Sequence, residues 1–349
     1  MCFFYPYIPP MKAITLVKHG KATDAFEFRE VDTPQPNTSQ VLIKVEAFGL
    51  NFADVMARYG LYGEAPKLPS VLGYEVVGKI ESIGSEIKGL TIGQRVVAFT
   101  RFGGYAQYAL AEHYAITPIP ETMDIGTATA LATQYCTAFY ASEIAANLQP
   151  GEHVLIQAAA GGVGIALVQL AKRKNCTVYG TASNKQKLDF LKSIGVDYPI
   201  NYITNDFHEE VKKIRPQGID VAFDSVGGKS YKKSRKLLAF GGRLLNYGAA
   251  ESMNGASKFS LLKTAFSFGW IHPVPLMMQS KAVMGVNMLR IAEHKPSVLQ
   301  HCLKSVVAMT IVGELKPHTG GIFDAKNIAD AHHFLENRGS IGKVVVKWE

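Results

Sequence analysis

The sequence predicts an α/β protein, with a doubly wound parallel sheet flanked by helices and a β-rich domain ahead of it. Three observations carry this. At 349 residues the chain is long enough for two domains. From Met11 to about Glu121, short β-type runs are punctuated by glycine and proline. From His153 onward strands and helices alternate, which implies parallel strands with helices on both faces.

In chain order, residues 1–10 lack a basic segment, are too short for a secretory signal, and read as an extension with little order. Strands are expected at 41–45, 75–80, 95–99 and 105–110. Between the first two, residues 56–72 (with Tyr59, Gly60, Tyr62, Pro66 and Pro69) read as a long irregular loop, and loops of that length are often functional. Residues 125–146 are rich in alanine and threonine and read as helical. Then follow a strand from 154, a helix at 163–174, a strand at 177–181 and a helix at 185–194, stopped by Gly195. Further strands are expected at 219–224, 243–248 and, at the sheet edge, 281–288. A helix at 290–309, a Gly/Pro/His-rich loop at 313–321, a helix at 325–337 and a closing strand at 343–347 complete the chain. The segment 259–284, crowded with aromatic residues and methionine and broken by Pro273 and Pro275, reads either as a core helix pair or as an apolar wall or lid of the substrate pocket, with contact to a membrane surface as a further option.

Hydrophobic content of 47% and charged content of 19% describe a globular protein with a sizeable core. No apolar run is long enough to cross a bilayer. The formal charge of +8 is spread along the chain, and its densest group (Lys229, Lys232, Lys233, Arg235 and Lys236) reads as a solvated helix face, so nucleic acid is not an expected partner. The four cysteines form no C-x-x-C motif, which suits a reducing, cytoplasmic setting and argues against a cysteine-based zinc site.

The chemistry concentrates at Ala158-x-x-Gly161-x-x-Gly164, where a strand turns into a helix. Small residues there let backbone N–H groups approach a pyrophosphate, and the helix terminus favours its charge. The pattern has alanine where G-x-G-x-x-G has its first glycine, and a tight packing turn needs small residues too. At the end of the second strand an acid normally meets the ribose 2′-hydroxyl of NAD. Here no carboxylate occurs before Asp189, while Ser183, Lys185 and Lys187 suit a 2′-phosphate, so NADPH is the expected cofactor. The competing reading makes Ser183 a helix N-cap and leaves Lys187 solvated. The ten histidines offer no H-x-x-H or H-E-x-x-H pair, and His332 and His333 cannot face the same way on a helix, so no metal site is expected. Hydride transfer without zinc needs an acceptor already polarised by conjugation, whose developing oxyanion Asn51 and Tyr62 can stabilise. By composition alone, Asn51 capping a turn and Tyr62 packing is the simpler account.

Together these stretches resemble the medium-chain dehydrogenase/reductase superfamily, in its zinc-free quinone oxidoreductase branch. The matching residues are Gly49-Leu-Asn-Phe-Ala-Asp54, Gly60-Leu-Tyr62, Leu72-Gly-Tyr-Glu75, Gly93-Gln-Arg-Val96, Ala158 to Gly164, Asp224-Ser-Val-Gly227 and Gly342-Lys343. Leu148-Gln-Pro-Gly151, Gly180-Thr-Ala-Ser183, Val211-Lys-Lys-Ile214 and Leu315-Lys-Pro-His318 look closest to the vesicle amine transport protein subgroup. Where zinc-bearing relatives have a cysteine and a histidine, this chain has Asn51 and Tyr74. The resemblance implies a GroES-like catalytic domain over 11–130 and 290–349, and a Rossmann NADPH-binding domain over 131–289. It also implies reduction of a small apolar quinone or enone, with Asn51 and Tyr62 facing the substrate. The 2′-phosphate would meet Ser183, Lys187 and Tyr202, and the pyrophosphate would lie over Ala160, Gly161, Gly162, Val163 and Gly164. Thr137, Gly227, Tyr247, Gly248 and Lys343 would complete the cofactor site. Met56 stands where some quinone reductases have an aromatic residue. A homodimer through the 281–288 edge is implied as well. The rival class is a non-catalytic NADPH-binding or lipid-handling protein, motivated by the vesicle subgroup and the apolar 259–284 segment.

Overall fold

In the computed structural model, which describes residues 9–250 and 268–348, the chain forms two units. One takes the chain as far as Ala132, then Gly321–Gly339 and everything from Val344; the other comprises Thr133–Gly320 and Ser340–Lys343.

The first unit is β-rich. Its central strand, Gln40–Leu50, pairs antiparallel with Glu75–Ile83, Tyr108–Glu112 and Lys343–Lys347, and Glu75–Ile83 continues the sheet to Arg95–Phe99 and Ile116–Pro118. Residues 41–50 are nearly all buried, as befits a strand covered on both faces. Val41, Ile43, Phe48, Val76, Val96 and Val344 form the middle of its core. A smaller sheet joins Phe26–Val31, Met11–Leu16 and Ser70–Val71. The expected loop at 56–72 starts later than the sequence suggested. Phe52–Arg58 is a helix buried on one side through Val55, Ala57 and Arg58, so an irregular stretch begins only at Tyr59.

The second unit holds six parallel strands in the order Tyr198–Asn201, Thr177–Ala182, His153–Ile156, Ile219–Asp224, Leu238–Asn246, Ala282–Gly285. The order reverses at His153–Ile156, which has Thr177–Ala182 on one side and Ile219–Asp224 on the other. Such a switch point opens a crevice at the carboxyl ends of the strands, where ligands bind in open α/β sheets. The helix Gly162–Arg173 buries Ile165, Leu167, Val168 and Leu170, each worth roughly 1.5–3 kcal/mol of transfer free energy.

Two boundaries differ from the sequence reading. The expected edge strand 281–288 is confined to Ala282–Gly285, because Asn287 caps a new helix by accepting from the N–H groups of Leu289 and Arg290. Residues 290–320 group with the second unit rather than the first. There Pro296 separates Met288–His294 from Pro296–Ile311, whose buried Leu299, Cys302, Leu303, Val306 and Val307 pack against Cys136–Phe139. The helical stretch expected at 125–146 contains two π-helical runs, Leu131–Tyr135 and Tyr140–Ala145. Of the segment 259–284, residues 259–267 lie outside the described residues. The described remainder divides: Phe268 and Val283 pack against the core of the second unit, whereas Trp270 is 93% exposed and Met277 and Met278 also face solvent. Among the described residues, no helix is long and apolar enough to cross a membrane.

Candidate functional site

The turn after His153–Ile156 is built from backbone. Ala158 adopts φ 50°, a left-handed conformation that glycine accepts at less cost, which explains why glycine is the usual residue there. Its N–H donates to Thr181 Oγ1 at 3.1 Å and its carbonyl accepts from Gly161 N at 2.9 Å, so the strained position is held at both ends. Gly161 is the N-cap of Gly162–Arg173 and brings no side chain to the cap. The first N–H groups of this helix therefore meet no capping side chain, the arrangement that receives an anion in dinucleotide-binding turns. Gly342 N–H donates to Ala160 O at 2.9 Å, and the buried Lys343 donates from its backbone N–H to His318 O at 2.8 Å. Thr137 donates from its hydroxyl to Thr133 O at 2.6 Å.

A Cβ on Gly164 would lie 2.6 Å from both Cα and O of Ala159, because helix and strand approach through backbone at this point. Gly164→Ala is expected to lower stability by about 1–3 kcal/mol, read from a denaturant melt. An unchanged midpoint would mean that the turn relaxes freely.

At the end of Thr177–Ala182 the capping question is decided. Asn184, not Ser183, is the N-cap of Lys185–Ser193, accepting from Lys187 N at 3.0 Å. Ser183 is thereby left out of capping. Tyr202 N–H donates to Ala182 O at 3.1 Å, which brings the Tyr202 backbone beside the strand end that carries Ser183. Lys187 is 8% exposed, not solvated. Asp189, the first acid after the strand, is engaged by Lys185 at 2.6 Å.

The third strand end is organised by Asp224, which is fully buried. Its carboxylate accepts from Val226 N and Gly227 N at 2.8 Å, Ser230 Oγ at 2.9 Å and Ser234 Oγ at 3.1 Å. Burial pushes this carboxyl above the usual range even against those four bonds. Gly227 sits at φ 80°, and a Cβ there would collide with the Phe268 ring. Tyr247 N–H donates to Asp224 O at 3.0 Å, and a Cβ on Gly248 would meet Ser225 O at 2.6 Å. Of the cofactor positions expected from sequence, residues 160–164, Ser183, Lys187, Tyr202, Gly227, Tyr247 and Gly248 follow the carboxyl ends of parallel strands, whereas Thr137 lies on the helix Cys136–Phe139 and Lys343 opens the strand Lys343–Lys347. The organising role of Asp224 was not read from the sequence, where only burial could have revealed it.

Asn51 and Tyr62 belong to the first unit. Asn51, 8% exposed, precedes the helix Phe52–Arg58. Its backbone N–H donates to Asp54 Oδ2 at 2.8 Å, half of a capping box that the Asn-x-x-Asp spacing signals. Its side-chain Nδ2 donates to Glu75 Oε1 at 2.8 Å. Glu75 therefore fixes the plane of the Asn51 amide. Tyr74 stands edge-on to Tyr62, with ring centroids 6.2 Å apart, so adjacent residues of one segment hold Asn51 and back Tyr62. Burial, reinforced by Asp54 and Tyr62, raises the Tyr74 phenol far above its usual range and keeps it neutral. Among the described residues, no three His, Cys, Asp or Glu side chains come together as a metal site requires.

Comparison with known proteins agrees with this fold. Residues 37–121 match the family model of the alcohol dehydrogenase GroES-like domain, and residues 162–304 that of zinc-binding dehydrogenase. The chain is 34% identical over 321 residues to the synaptic vesicle membrane protein VAT-1 homolog of Homo sapiens, covering 91% of this chain and 81% of that protein. The Danio rerio VAT-1 homolog is also 34% identical, over 319 residues; the match covers 90% of this chain, which spans only 66% of that relative's length. Among solved structures, Escherichia coli quinone oxidoreductase complexed with NADPH superposes with a TM-score of 0.84 at 26% identity, covering 96% of this chain and 99% of that one. The CurK enoyl reductase gives the same score and identity over 97% and 100%.

Proposed function

Because the chain belongs to the medium-chain dehydrogenase/reductase family, on its zinc-free quinone oxidoreductase branch near the VAT-1 homologues, we propose that it reduces a small apolar quinone or α,β-unsaturated carbonyl with NADPH. The observation that carries this reading is the end of the second parallel strand. Asn184 caps the helix there, Ser183 does not, Lys187 is drawn in, and the nearest acid is bonded to Lys185. That set fits a phosphate and lacks the carboxylate an NAD site would use. An uncapped helix terminus at Gly161–Gly164 suits the diphosphate of the same nucleotide.

NADPH supplies the hydride. The chain's own residues do the rest. Ser183, Lys187 and Tyr202 hold the 2′-phosphate, and the turn from Ala160 to Gly164 holds the diphosphate. Thr137, Gly227, Tyr247, Gly248 and Lys343 complete the nucleotide site. In the first unit, Asn51, oriented by Glu75, and Tyr62, backed by Tyr74, donate to the acceptor oxygen as negative charge develops on it. Tyr62 or water then returns the proton that balances the two-electron reduction.

The test is steady-state NADPH oxidation against a graded panel of quinones, enals and enones. Asn51→Ala and Tyr62→Phe should each lower kcat about tenfold, the worth of one hydrogen bond, while the NADPH Kd is unchanged. Tight NADPH binding with no oxidation by any acceptor would remove the enzymatic reading. A second reading, a non-catalytic nucleotide-binding or lipid-handling protein, draws on the vesicle-membrane relatives and on the exposed Trp270, Met277 and Met278. Salt-resistant co-sedimentation with liposomes, without turnover, would favour it. The exposed edge Ala282–Gly285 suits pairing with a second copy of the chain, which sedimentation velocity would detect.

A further inference from the structure

In the second unit, one buried polar side chain beside the glycine turn has no evident structural employment. Gln134 is 8% exposed, and its Oε1 has no hydrogen-bond partner. Buried amides are ordinarily satisfied, and the nearby hydroxyls of Tyr135 and Thr137 are. Tyr135 donates to Gln169 Oε1 at 3.3 Å and Thr137 to Thr133 O at 2.6 Å. The buried Gln157 of the same unit accepts from Thr181 Oγ1 at 2.8 Å and donates to Ser234 Oγ at 3.3 Å.

The position of Gln134 is specific. A Cβ built on Gly162 would collide with its Oε1, Cδ and Nε2, so the side-chain amide lies over the Cα of the first helical residue. That residue opens the 12-residue helix Gly162–Arg173, whose N-cap supplies no side chain. Gln134 itself sits in the π-helical run Leu131–Tyr135, and π-helical turns occur frequently at functional sites. Two independent features therefore meet at one point: a helix terminus open to an anion, and a buried amide laid against it with an unused polar end.

We infer that Gln134 is a ligand of the dinucleotide's diphosphate, donating from its side-chain Nε2 to a phosphate oxygen, and that residue 162 is glycine to admit it. The inference rests on the nucleotide reading above. The two ends of a glutamine amide are nearly isosteric, so a half-turn exchanges Oε1 for Nε2 at the same place without repacking. The side chain thereby adds a donor to the backbone N–H groups of the turn.

Isothermal calorimetry tests this with two probes, NADPH and 2′-AMP; the second keeps the adenosine and 2′-phosphate but has no diphosphate. Gln134→Leu should weaken NADPH about tenfold or more, as expected for a bond to a charged group, and leave 2′-AMP within about twofold. Gln134→Glu, nearly identical in shape, should weaken NADPH further by placing an anion against an anion, and it serves if the leucine variant does not fold. Unchanged NADPH affinity would overturn the inference, as would equal weakening of both probes, which would mark Gln134 as a packing residue. A parent protein that binds neither probe would instead overturn the nucleotide reading itself.

Discussion

Lys187→Glu is expected to lower affinity for NADPH at least a hundredfold while leaving NADH within about threefold. Lys187 is buried one helical turn from Asn184, on the helix that starts where Ser183 ends the second-strand segment. A ribose 2′-phosphate carries nearly two negative charges at neutral pH. Losing one charge-assisted bond costs about 1.5–3 kcal/mol, and the new carboxylate adds repulsion of the same sign. Both parts vanish for NADH, which presents a hydroxyl that a carboxylate can accept from. Nicotinamide fluorescence titration with the two nucleotides reads the difference directly. Lys187→Met is the control for packing: it keeps the apolar stem and should weaken NADPH by about tenfold only. An equal loss for both nucleotides would mean that Lys187 supports the fold of the site and does not read the phosphate. Ser183→Ala should have the same sign and a smaller size, since a neutral hydroxyl contributes less.

Local chemistry made much of the second unit legible. The run from Val154 to Ile156, the small residues to Gly164 and the apolar spacing beyond them state strand, turn and helix in one stretch. The strands Thr177–Ala182 and Ile219–Asp224 and the helix Lys185–Ser193 follow the same pattern. What stayed hidden depends on distant partners. Ser183 and Asn184 are equally good caps by type, and only the fold chooses Asn184. The helix Phe52–Arg58 is short and sits among residues that read as loop; its stability comes from burying Val55 and Ala57, which sequence does not report. Residues 290–320 follow the second unit because one face of Pro296–Ile311 packs on Cys136–Phe139, a contact between stretches far apart in the chain. In the first unit, Asn51 and Tyr62 were visible as candidates, yet the Glu75 bond that orients Asn51 pairs residues on different elements and needed coordinates.

The largest stability effect expected in the first unit lies at the far end of the helix that Asn51 begins. Arg58, the last residue of Phe52–Arg58, is fully buried, and its Nη2 donates to Glu336 Oε2 at 2.6 Å. Tyr59 donates to the other carboxylate oxygen at 2.6 Å, so Glu336 ties the helix end to Ile328–Glu336. The remaining Arg58 nitrogens, Nε and Nη1, have no hydrogen-bond partner, and beyond the Tyr59 ring that the guanidinium overlies at 4.5 Å, Glu336 carries most of the compensation for this buried charge. Beside it, His332 is fully buried; burial and then the Arg58 charge push its imidazole well below its usual range, so it adds no second cation. Glu336→Leu leaves Arg58 charged and uncompensated, and should cost about 3–5 kcal/mol in a denaturant melt at pH 7. Arg58→Met with Glu336→Leu should recover most of that loss, because the cost belongs to the orphaned charge and not to the absent pair. The pH dependence has a definite sign. Burial alone would raise the Glu336 carboxyl, but the bonds from Tyr59 and Arg58 and the Arg58 charge outweigh it and hold it below its usual value. A carboxyl depressed in the folded state contributes its stability above the unfolded pKa and loses it as pH falls through the folded one. The parent should therefore lose stability through the acid limb more steeply than the double variant. Parallel acid limbs, or a double variant no more stable than Glu336→Leu, would show that the pair does not hold the helix end.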